Sequence, residues 1–313
     1  MELPAQVSGV GELELPARPL HLAIGMFDGV HLGHRAVVEA AIQSARTGGG
    51  LSGVLTFTPH PSVLFRPEQP TRLIQDAAAK AGVLVSLGID VVITQRFDAA
   101  LAALPAEDFL PWLQRALPRL AAVYVGENFR FGAGRKGDVA LLVAVGRKLG
   151  IRVFSAPRVN LNGEPISSTR IRAQLEAGDV EAANELLGYR YFAAGIVTGG
   201  KRLGRTIGFP TLNVPWAPEL KPRFGVYAVE VVGRGNATVH PGVANYGLRP
   251  TVEDALVPRL EVHLLGECPF REGDEIRVDW RRFLRPERKF AGVEELKAQI
   301  GRDRETARTF FAG

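Results

Sequence analysis

The spacing of apolar segments changes near residue 188, and this change constrains the fold more than any other feature of the sequence. Before it, short apolar runs alternate with stretches in which apolar residues recur at helical spacing. Such alternation predicts an α/β domain whose parallel sheet is covered on both faces and binds ligands beyond the carboxyl ends of its strands. The predicted strands are 20–25, 54–57, 91–94, 122–125 and 151–154, and the predicted helices are 35–45, 76–87, 106–117 and 138–149.

After a helical stretch over 169–187 the pattern becomes β-only. Six apolar runs are joined by turns that contain Gly or Pro, and no helical spacing separates them. This pattern predicts a six-stranded antiparallel barrel, followed by a terminal helix over 293–311. We therefore predict two domains, 1–187 and 188–313. The predicted barrel strands are 191–197, 211–214, 227–232, 239–245, 259–265 and 275–280.

Composition narrows the function classes. The net charge of +5 lies entirely after residue 188, where there are 20 Lys and Arg against 15 Asp and Glu. A basic module of this kind fits nucleic acid, an anionic surface or a small polyphosphate, and five charges spread over 125 residues are a weak signal for nucleic acid. The single cysteine, Cys268, forms no internal disulfide, and no Cys/His cluster has zinc spacing, which favours a reducing cytoplasm. The sequence shows no apolar run of membrane-spanning length and no secretory signal, so we expect no membrane association.

The junction between the first predicted strand and the first predicted helix reads G-M-F-D-G-V-H-L-G-H over residues 25–34. A helix start exposes backbone N–H groups and a partial positive charge, and both favour a bound anion. Gly25, Gly29 and Gly33 allow a ligand to approach the backbone closely. His31 and His34 can donate hydrogen bonds to a phosphate whose charge grows in the transition state. The alternative is that the two histidines only cap the helix.

The H-x-G-H string resembles the nucleotidyltransferase superfamily, and the full ten-residue string resembles the adenylyltransferase module of bacterial FAD synthetases. The resemblance implies a Rossmann-like nucleotidyltransferase fold. It also implies that His31 and His34 are catalytic. The residues that it implies in ATP binding at this junction are Gly25, Phe27, Asp28 and Gly33.

Two further segments resemble the same family. In I-S-S-T-R-I-R, residues 166–172, the pattern alone favours an ordinary helix cap, whereas the resemblance implies that Ser168, Thr169 and Arg172 hold the ATP phosphates. In V-G-E-N-F-R-F-G, which follows the fourth predicted strand, it implies that Asn128 lies near the reacting phosphates and the flavin.

Three aromatic residues, two near predicted strand ends and one in the predicted helix 106–117, are candidates for the wall of a flavin pocket. Phe57 lies in the segment T-F-T-P-H-P and can stack on a ring, although the residue alone favours core packing. Phe97 and Phe109 also occupy family positions, and we expect them either in the core or in the pocket wall.

A glycine-rich basic stretch, T-G-G-K-R-L-G-R-T-I-G-F-P-T-L-N over residues 198–213, opens the β region. Such a loop suits a triphosphate, although it also fits a flexible basic hairpin. Thr211 and Asn213 are two residues apart, so in a strand they face the same side and offer oxygen ligands for Mg²⁺ shared with ATP. The ending G-F-P-T-x-N resembles the riboflavin kinase signature. The loop residues that this resemblance implies in ATP binding are Gly200, Lys201, Gly204, Arg205 and Gly208.

Glu261 is the candidate base of the kinase module. It lies in an otherwise apolar strand, where a carboxylate is costly to desolvate unless it has a partner or a task. The resemblance implies that it takes the proton of the riboflavin 5′-hydroxyl as that oxygen attacks ATP. From the pattern alone, Glu261 and His263 face solvent. Arg249, in N-Y-G-L-R-P-T, is implied to contact the flavin.

The resemblance as a whole implies a bifunctional enzyme that uses ATP and Mg²⁺ twice. The barrel would phosphorylate riboflavin to FMN, and the α/β domain would adenylylate FMN to FAD with release of pyrophosphate. Small molecules are its predicted partners, without nucleic acid or membrane, and we predict no particular oligomeric state. Two alternatives stay open: a nucleotidyltransferase for another phosphorylated vitamin, and a non-catalytic basic barrel that binds single-stranded nucleic acid.

Overall fold

A computed structural model describes residues 6–12, 16–199, 208–250 and 256–313. The chain divides into two compact units, the first ending at Ser168 and the second beginning at Thr169. The helix that begins at Ser168 therefore belongs almost entirely to the second unit.

The first unit contains a parallel sheet with one switch in strand order. Its strands are β1 (Gln6–Ser8), β2 (Leu20–Ile24), β3 (Leu51–Thr58), β4 (Val91–Arg96), β5 (Leu120–Gly126) and β6 (Arg152–Ala156). They are ordered β1-β4-β3-β2-β5-β6, so the chain runs outward from β2 on one side and then returns to add β5 and β6 on the other. Ligands of open α/β sheets bind where the order reverses, here between the carboxyl ends of β2 and β5.

Helices cover this sheet because the strands are apolar on both faces. All five residues of β2 are buried, as a parallel strand between two helical layers requires. Aspartates cap three of the helices by accepting a hydrogen bond from the backbone N–H three residues on. The helices are α1 (Leu32–Thr47), α2 (Pro61–Phe65), α3 (Ala77–Ser86), α4 (Ala99–Ala103), α5 (Ala106–Ala116) and α6 (Val139–Leu149), and a short hairpin follows, β7 (Asn160–Leu161) and β8 (Glu164–Pro165).

The second unit is an antiparallel barrel that is nearly closed. Two helices precede it, and its strands are ordered β10-β13-β12-β11-β14-β9. The backbone N–H of Thr198, just after β9, donates to the carbonyl of Asn213 on β10 at 2.9 Å, which joins the two outermost strands. The elements are α7 (Ser168–Ala177), α8 (Val180–Leu187), β9 (Phe192–Ile196), β10 (Leu212–Val214), β11 (Gly225–Gly233), β12 (Val239–Pro250), β13 (Leu256–Leu264), β14 (Glu275–Pro286) and α9 (Val293–Ala312).

The predicted fold class is confirmed: a parallel α/β unit and a six-stranded antiparallel barrel with a terminal helix. The sequence missed β1, because three half-exposed residues give no alternation long enough to detect. The predicted helical stretch 169–187 is two helices, interrupted at Gly178, whose φ of +88° no ordinary helix allows. The boundary between 187 and 188 stays a prediction. Compactness instead groups α7 and α8 with the barrel, where the Asn184 side chain donates to the carbonyl of Trp280 at 2.9 Å.

Buried His21 predicts how stability depends on pH. It lies on β2, is 1% exposed and shares a hydrogen bond of 3.2 Å with the Tyr124 hydroxyl. Burial lowers its pKa below the ordinary value, and Arg152 lowers it further. The unfolded state therefore binds the proton more readily, so this contribution is complete above the unfolded pKa of about 6.5 and is lost as pH falls through the lower, folded pKa.

We expect the thermal unfolding midpoint to fall less in His21→Gln than in the unsubstituted protein as the pH is lowered from 7.5 to 5. Circular dichroism at several pH values measures both midpoints. His34 and His263 also have lowered pKa values, so part of the acid destabilisation persists in the variant. Parallel pH curves for the two proteins would contradict this role of His21.

Candidate active sites

The loop that joins β2 to α1 has an unusual backbone. Phe27 and Val30 have φ values of +49° and +37°, although neither is glycine, and Gly29 has a φ of +82°. Left-handed conformations at non-glycine residues cost about 1–3 kcal/mol each and persist only where surrounding contacts fix them. The loop also lies at the switch point of the sheet, and strain in such a position is typical of ligand-binding sites.

His31 and His34 are brought together at the start of α1. Nδ1 of His31 accepts a hydrogen bond from the backbone N–H of His34 at 3.2 Å, and the two rings stack with centroids 3.6 Å apart. A Cβ at Gly33 would lie 3.2 Å from the His31 ring, so glycine makes room for it. Burial lowers the pKa of His34 well below its usual range, and His31 and Lys80 lower it further, which leaves His34 neutral at pH 7.

Asp28 and Ser168 fix the same loop. The Asp28 carboxylate is buried and accepts a hydrogen bond from the backbone N–H of Ile74 at 3.0 Å. The Ser168 hydroxyl donates to the backbone carbonyl of Asp28 at 2.9 Å. Ser168 thus contacts the histidine loop as the first residue of α7, whereas Thr169, exposed, and Arg172, half-buried, are counted with the second unit.

A cavity of about 230 Å³ opens at the switch point of the sheet. It lies beyond the ends of β2, β5 and β6, and both histidines and Gly33 line it. Glu127 and Arg158 line it too and form an ion pair of 3.1 Å. This cavity therefore combines helix-start N–H groups, two imidazoles and a guanidinium, which together suit a nucleotide phosphate.

A larger cavity of about 800 Å³ adjoins it, and six of its lining residues are phenylalanines. Phe97 packs edge-on against Phe57 with ring centroids 6.2 Å apart. Gly25, Asn128 and Phe129 line both cavities, so the exposed Asn128 amide lies at their junction. The aromatic residues of the larger cavity are Phe57, Phe65, Phe97, Phe109, Phe129 and Phe131, and its cationic residues are Arg66, Arg130 and Arg135.

Sequence reasoning missed Lys80, a buried lysine on α3 that contacts the histidine loop. Lysine is normally a surface residue, and Asp76, four residues earlier, suggests an ordinary surface ion pair for it. A signal was nevertheless present, because Lys80 shares the buried stripe of α3 with Ala81 and Leu84. A charged residue on the apolar stripe of a helix indicates a specific partner.

In the second unit, strand register assembles the predicted kinase residues. Glu261 on β13 is the direct neighbour of Asn213 on β10 and of Asn245 on β12. Directly opposite residues of adjacent strands share one face of the sheet, so the carboxylate lies in a row between two amides. Glu261 and both asparagines are half-buried rather than solvated, and Asn245 was not among the predicted site residues.

The oxygen donors of this row fit a magnesium–nucleotide complex. Thr211, immediately before β10, and Asn213 are separated by one residue of extended chain, with Glu261 opposite Asn213. A hydroxyl, an amide oxygen and a carboxylate are the hard ligands that Mg²⁺ takes in small number when nucleotide phosphates supply the rest. Their chemistry thus suits the ion.

His263, two residues after Glu261 on β13, anchors the chain just before Thr211. It is buried, and its Nδ1 donates to the carbonyl of Pro210 at 2.8 Å, directly before Thr211. Its ring also meets Phe209 edge-on, with centroids 5.6 Å apart. Burial lowers the pKa of His263. The expectation from pattern that His263 faces solvent is wrong, because the residues before β10 cover it.

Several predicted residues cannot be placed. Gly200, Lys201, Gly204 and Arg205 lie outside the described residues, and so does the side chain of Arg249. Gly208 is exposed and has a φ of +86°, a turn conformation that favours glycine.

Comparison with known proteins matches each unit separately. A family model described as FAD synthetase matches residues 15–170, and one described as riboflavin kinase matches residues 187–311. The bifunctional riboflavin kinase/FMN adenylyltransferase of Escherichia coli K12 is 41% identical over 306 residues, which are 97% of each chain. The protein of that name from Bacillus subtilis 168 is 38% identical over 93% of this chain and 92% of its own.

A solved structure shares the fold along most of the chain. A crystal structure from Streptococcus pneumoniae, described as a macrolide-efflux protein, is 27% identical with a TM-score of 0.85, over 97% of this chain and 99% of that one. Among the residues described here, no helix has both the length and the apolar character needed to cross a membrane.

Proposed function

Because the chain belongs to the family of bifunctional riboflavin kinases/FMN adenylyltransferases, we propose that its two reactions take place at the two sites described above. The carboxyl-terminal module phosphorylates riboflavin to FMN, and the amino-terminal module adenylylates FMN to FAD, each with ATP. The acceptor of nucleotidyl transfer is therefore FMN rather than another phosphorylated vitamin.

ATP occupies the small cavity in this proposal, and FMN occupies the large one. A phosphate oxygen of FMN attacks the α-phosphorus of ATP, the bond to the β-phosphate breaks, and pyrophosphate leaves. The observation that carries this assignment is the shared wall formed by Gly25, Asn128 and Phe129, where the two phosphates would meet. The aromatic lining suits an isoalloxazine ring, and Ser168, Thr169 and Arg172 add phosphate donors, as their motif implies.

The imidazole of His31 is set up as a hydrogen-bond donor. Since its Nδ1 accepts from the backbone N–H of His34, the proton of the neutral ring lies on Nε2. This N–H is the group that would stabilise charge on the α-phosphate in the transition state. His34, kept neutral by its surroundings, adds a second donor without adding a charge.

At the second site, Glu261 takes the proton of the riboflavin 5′-hydroxyl as that oxygen attacks the γ-phosphorus of Mg–ATP and ADP leaves. Thr211 and Asn213 hold the Mg–ATP phosphates next to the carboxylate. Support comes from the register of β10 and β13, which places Asn213 opposite Glu261. The motifs imply that the basic loop before Gly208 binds the triphosphate and that the Arg249 side chain contacts the flavin.

We assign the basic loop to a triphosphate rather than to nucleic acid. We also propose that the protein is a cytoplasmic enzyme. Both reactions consume ATP, which the cytoplasm supplies, and the only cysteine, Cys268, is exposed and free. Small-molecule substrates account for all the chemistry of both sites without a membrane or nucleic-acid partner.

Replacing Phe97 with alanine tests the placement of FMN. Loss of a stacking ring is expected to raise the dissociation constant of FMN about tenfold while the KM for riboflavin in the kinase reaction stays unchanged. Quenching of FMN fluorescence on titration measures the first quantity. Phe154→Ala is the matched control, since Phe154 is exposed, stacks on Tyr124 and lines neither cavity. Unchanged FMN affinity in Phe97→Ala would move the flavin elsewhere.

A further inference from the structure

The ammonium group of Lys80 is buried behind the histidine loop. Lys80 is 6% exposed, and its Nζ donates to the backbone carbonyl of Met26 at 3.2 Å and to the Thr56 hydroxyl at 2.9 Å. The Thr56 hydroxyl donates to the same carbonyl at 3.0 Å, so two side chains converge on one oxygen atom. Burying an ammonium costs several kcal/mol unless it is well paired. A buried lysine whose only role is to pack would therefore destabilise the fold.

The carbonyl that these side chains hold directly precedes the strained part of the loop. Met26 is followed by Phe27, whose φ is +49°, and His31 begins α1 a few residues later. Met26 also lines the large cavity, whereas Lys80 lines neither cavity. Lys80 therefore reaches the site through the backbone and does not touch either substrate cavity.

Lys80 also interacts electrostatically with charged and titratable groups of the site. The carboxylate of Asp28, next but one to Met26, interacts favourably with the ammonium. On the other side, the positive charge of Lys80 acts on His34, which also faces His31 and shares its cavity with Glu127 and Arg158. The Lys80 ammonium thus interacts both with the Asp28 carboxylate, which fixes the loop, and with the His34 imidazole, which the proposed reaction uses.

We propose that Lys80 is a positioning residue for FMN adenylylation, which holds the Met26 carbonyl so that the strained loop presents His31 and His34 to the ATP phosphates. This role rests on the assignment of adenylyl transfer to that loop. A shift of about 1 Å in a catalytic group costs on the order of 100-fold in rate, so loss of the anchor has a measurable effect far larger than that of a surface lysine.

Lys80→Met in the full-length protein removes the charge and the donor while keeping side-chain length. We expect kcat for FAD formation from FMN and ATP–Mg²⁺ to fall roughly 10- to 100-fold, with FMN formation from riboflavin unchanged. Because the Lys80 charge lowers the pKa of His34, its removal should also move the acidic limb of the FAD-forming pH profile to higher pH. Lys148→Met, at an exposed lysine of α6, should change neither rate nor profile.

Thr56 provides a second test that does not depend on the folding of the lysine variant. Thr56→Val removes the hydroxyl that pairs with both Lys80 and Met26, and Thr56→Ser keeps it. We expect Thr56→Val to lose FAD formation several-fold and Thr56→Ser to retain it. Wild-type kcat and pH profile in Lys80→Met, or equal activity of the two Thr56 variants, would overturn the role of Lys80. The assignment of adenylyl transfer to the loop is tested separately, by the loss of FAD formation when His31 is substituted. Failure of that assignment is therefore distinguishable from failure of the role of Lys80.

Discussion

Glu261→Gln is expected to abolish FMN formation while FAD formation from added FMN continues. A glutamine amide has the shape of the carboxylate but takes no proton from the riboflavin hydroxyl, so kcat of the kinase reaction should fall about 10²- to 10⁴-fold. The substitution keeps the size of a half-buried side chain that lies between Asn213 and Asn245. Chromatographic separation of riboflavin, FMN and FAD after incubation with ATP–Mg²⁺ measures both reactions in one sample.

The KM for ATP separates a base from a phosphate ligand at this position. If Glu261 acts as the base, kcat falls and the KM for Mg–ATP changes little, because the interaction is made in the transition state. Glu275→Gln on β14 is the matched control, since that carboxylate is exposed and pairs with Arg234 at the surface. Retention of more than about a tenth of kinase activity in Glu261→Gln would exclude general-base catalysis by this residue.

The architecture was predictable because it depends on patterns that are local in sequence. Strands such as β2 are apolar on both faces, and no helical spacing separates the barrel strands. The fold class of each unit therefore follows from its own stretch of sequence. The histidine loop was predictable for the same reason, since the glycines and both histidines lie within ten residues. A local motif identifies the candidate catalytic residues, but not the residues from other segments that surround them.

The rest of each site is assembled from segments that are distant in sequence. Phe57 lies on β3, Phe97 directly after β4 and Phe109 on α5, and only the tertiary fold brings them to one cavity. Whether each packs in the core or lines a pocket could not be decided from sequence, and Phe109 does both, being 4% exposed in the core and part of the cavity wall. Asn245 illustrates the same limit, because its place beside Glu261 follows from β12 pairing with β13.

His31→Asn separates catalysis from helix capping, the two roles that the sequence left open. Asparagine is among the best N-cap residues, so its side-chain oxygen can accept the hydrogen bond that Nδ1 of His31 now accepts from the His34 N–H. Its amide N–H₂ is also a donor, but it lies one bond closer to the backbone than the Nε2–H that faces the ATP phosphates in the proposed reaction, and we expect it not to reach them. Folding should therefore be preserved while the donor is lost.

Losing one preorganised donor of this kind costs about 10²- to 10³-fold in kcat, and we expect FAD formation in His31→Asn to fall by that factor. Riboflavin phosphorylation in the same chain should be unchanged, and the thermal unfolding midpoint should stay within about 2 °C of that of the unsubstituted protein. His31→Ala, which removes both the donor and the cap, should lose the same activity and in addition unfold at lower temperature. Full FAD formation in His31→Asn would contradict the role of the Nε2 donor, since the substitution keeps the cap and leaves only a donor of shorter reach.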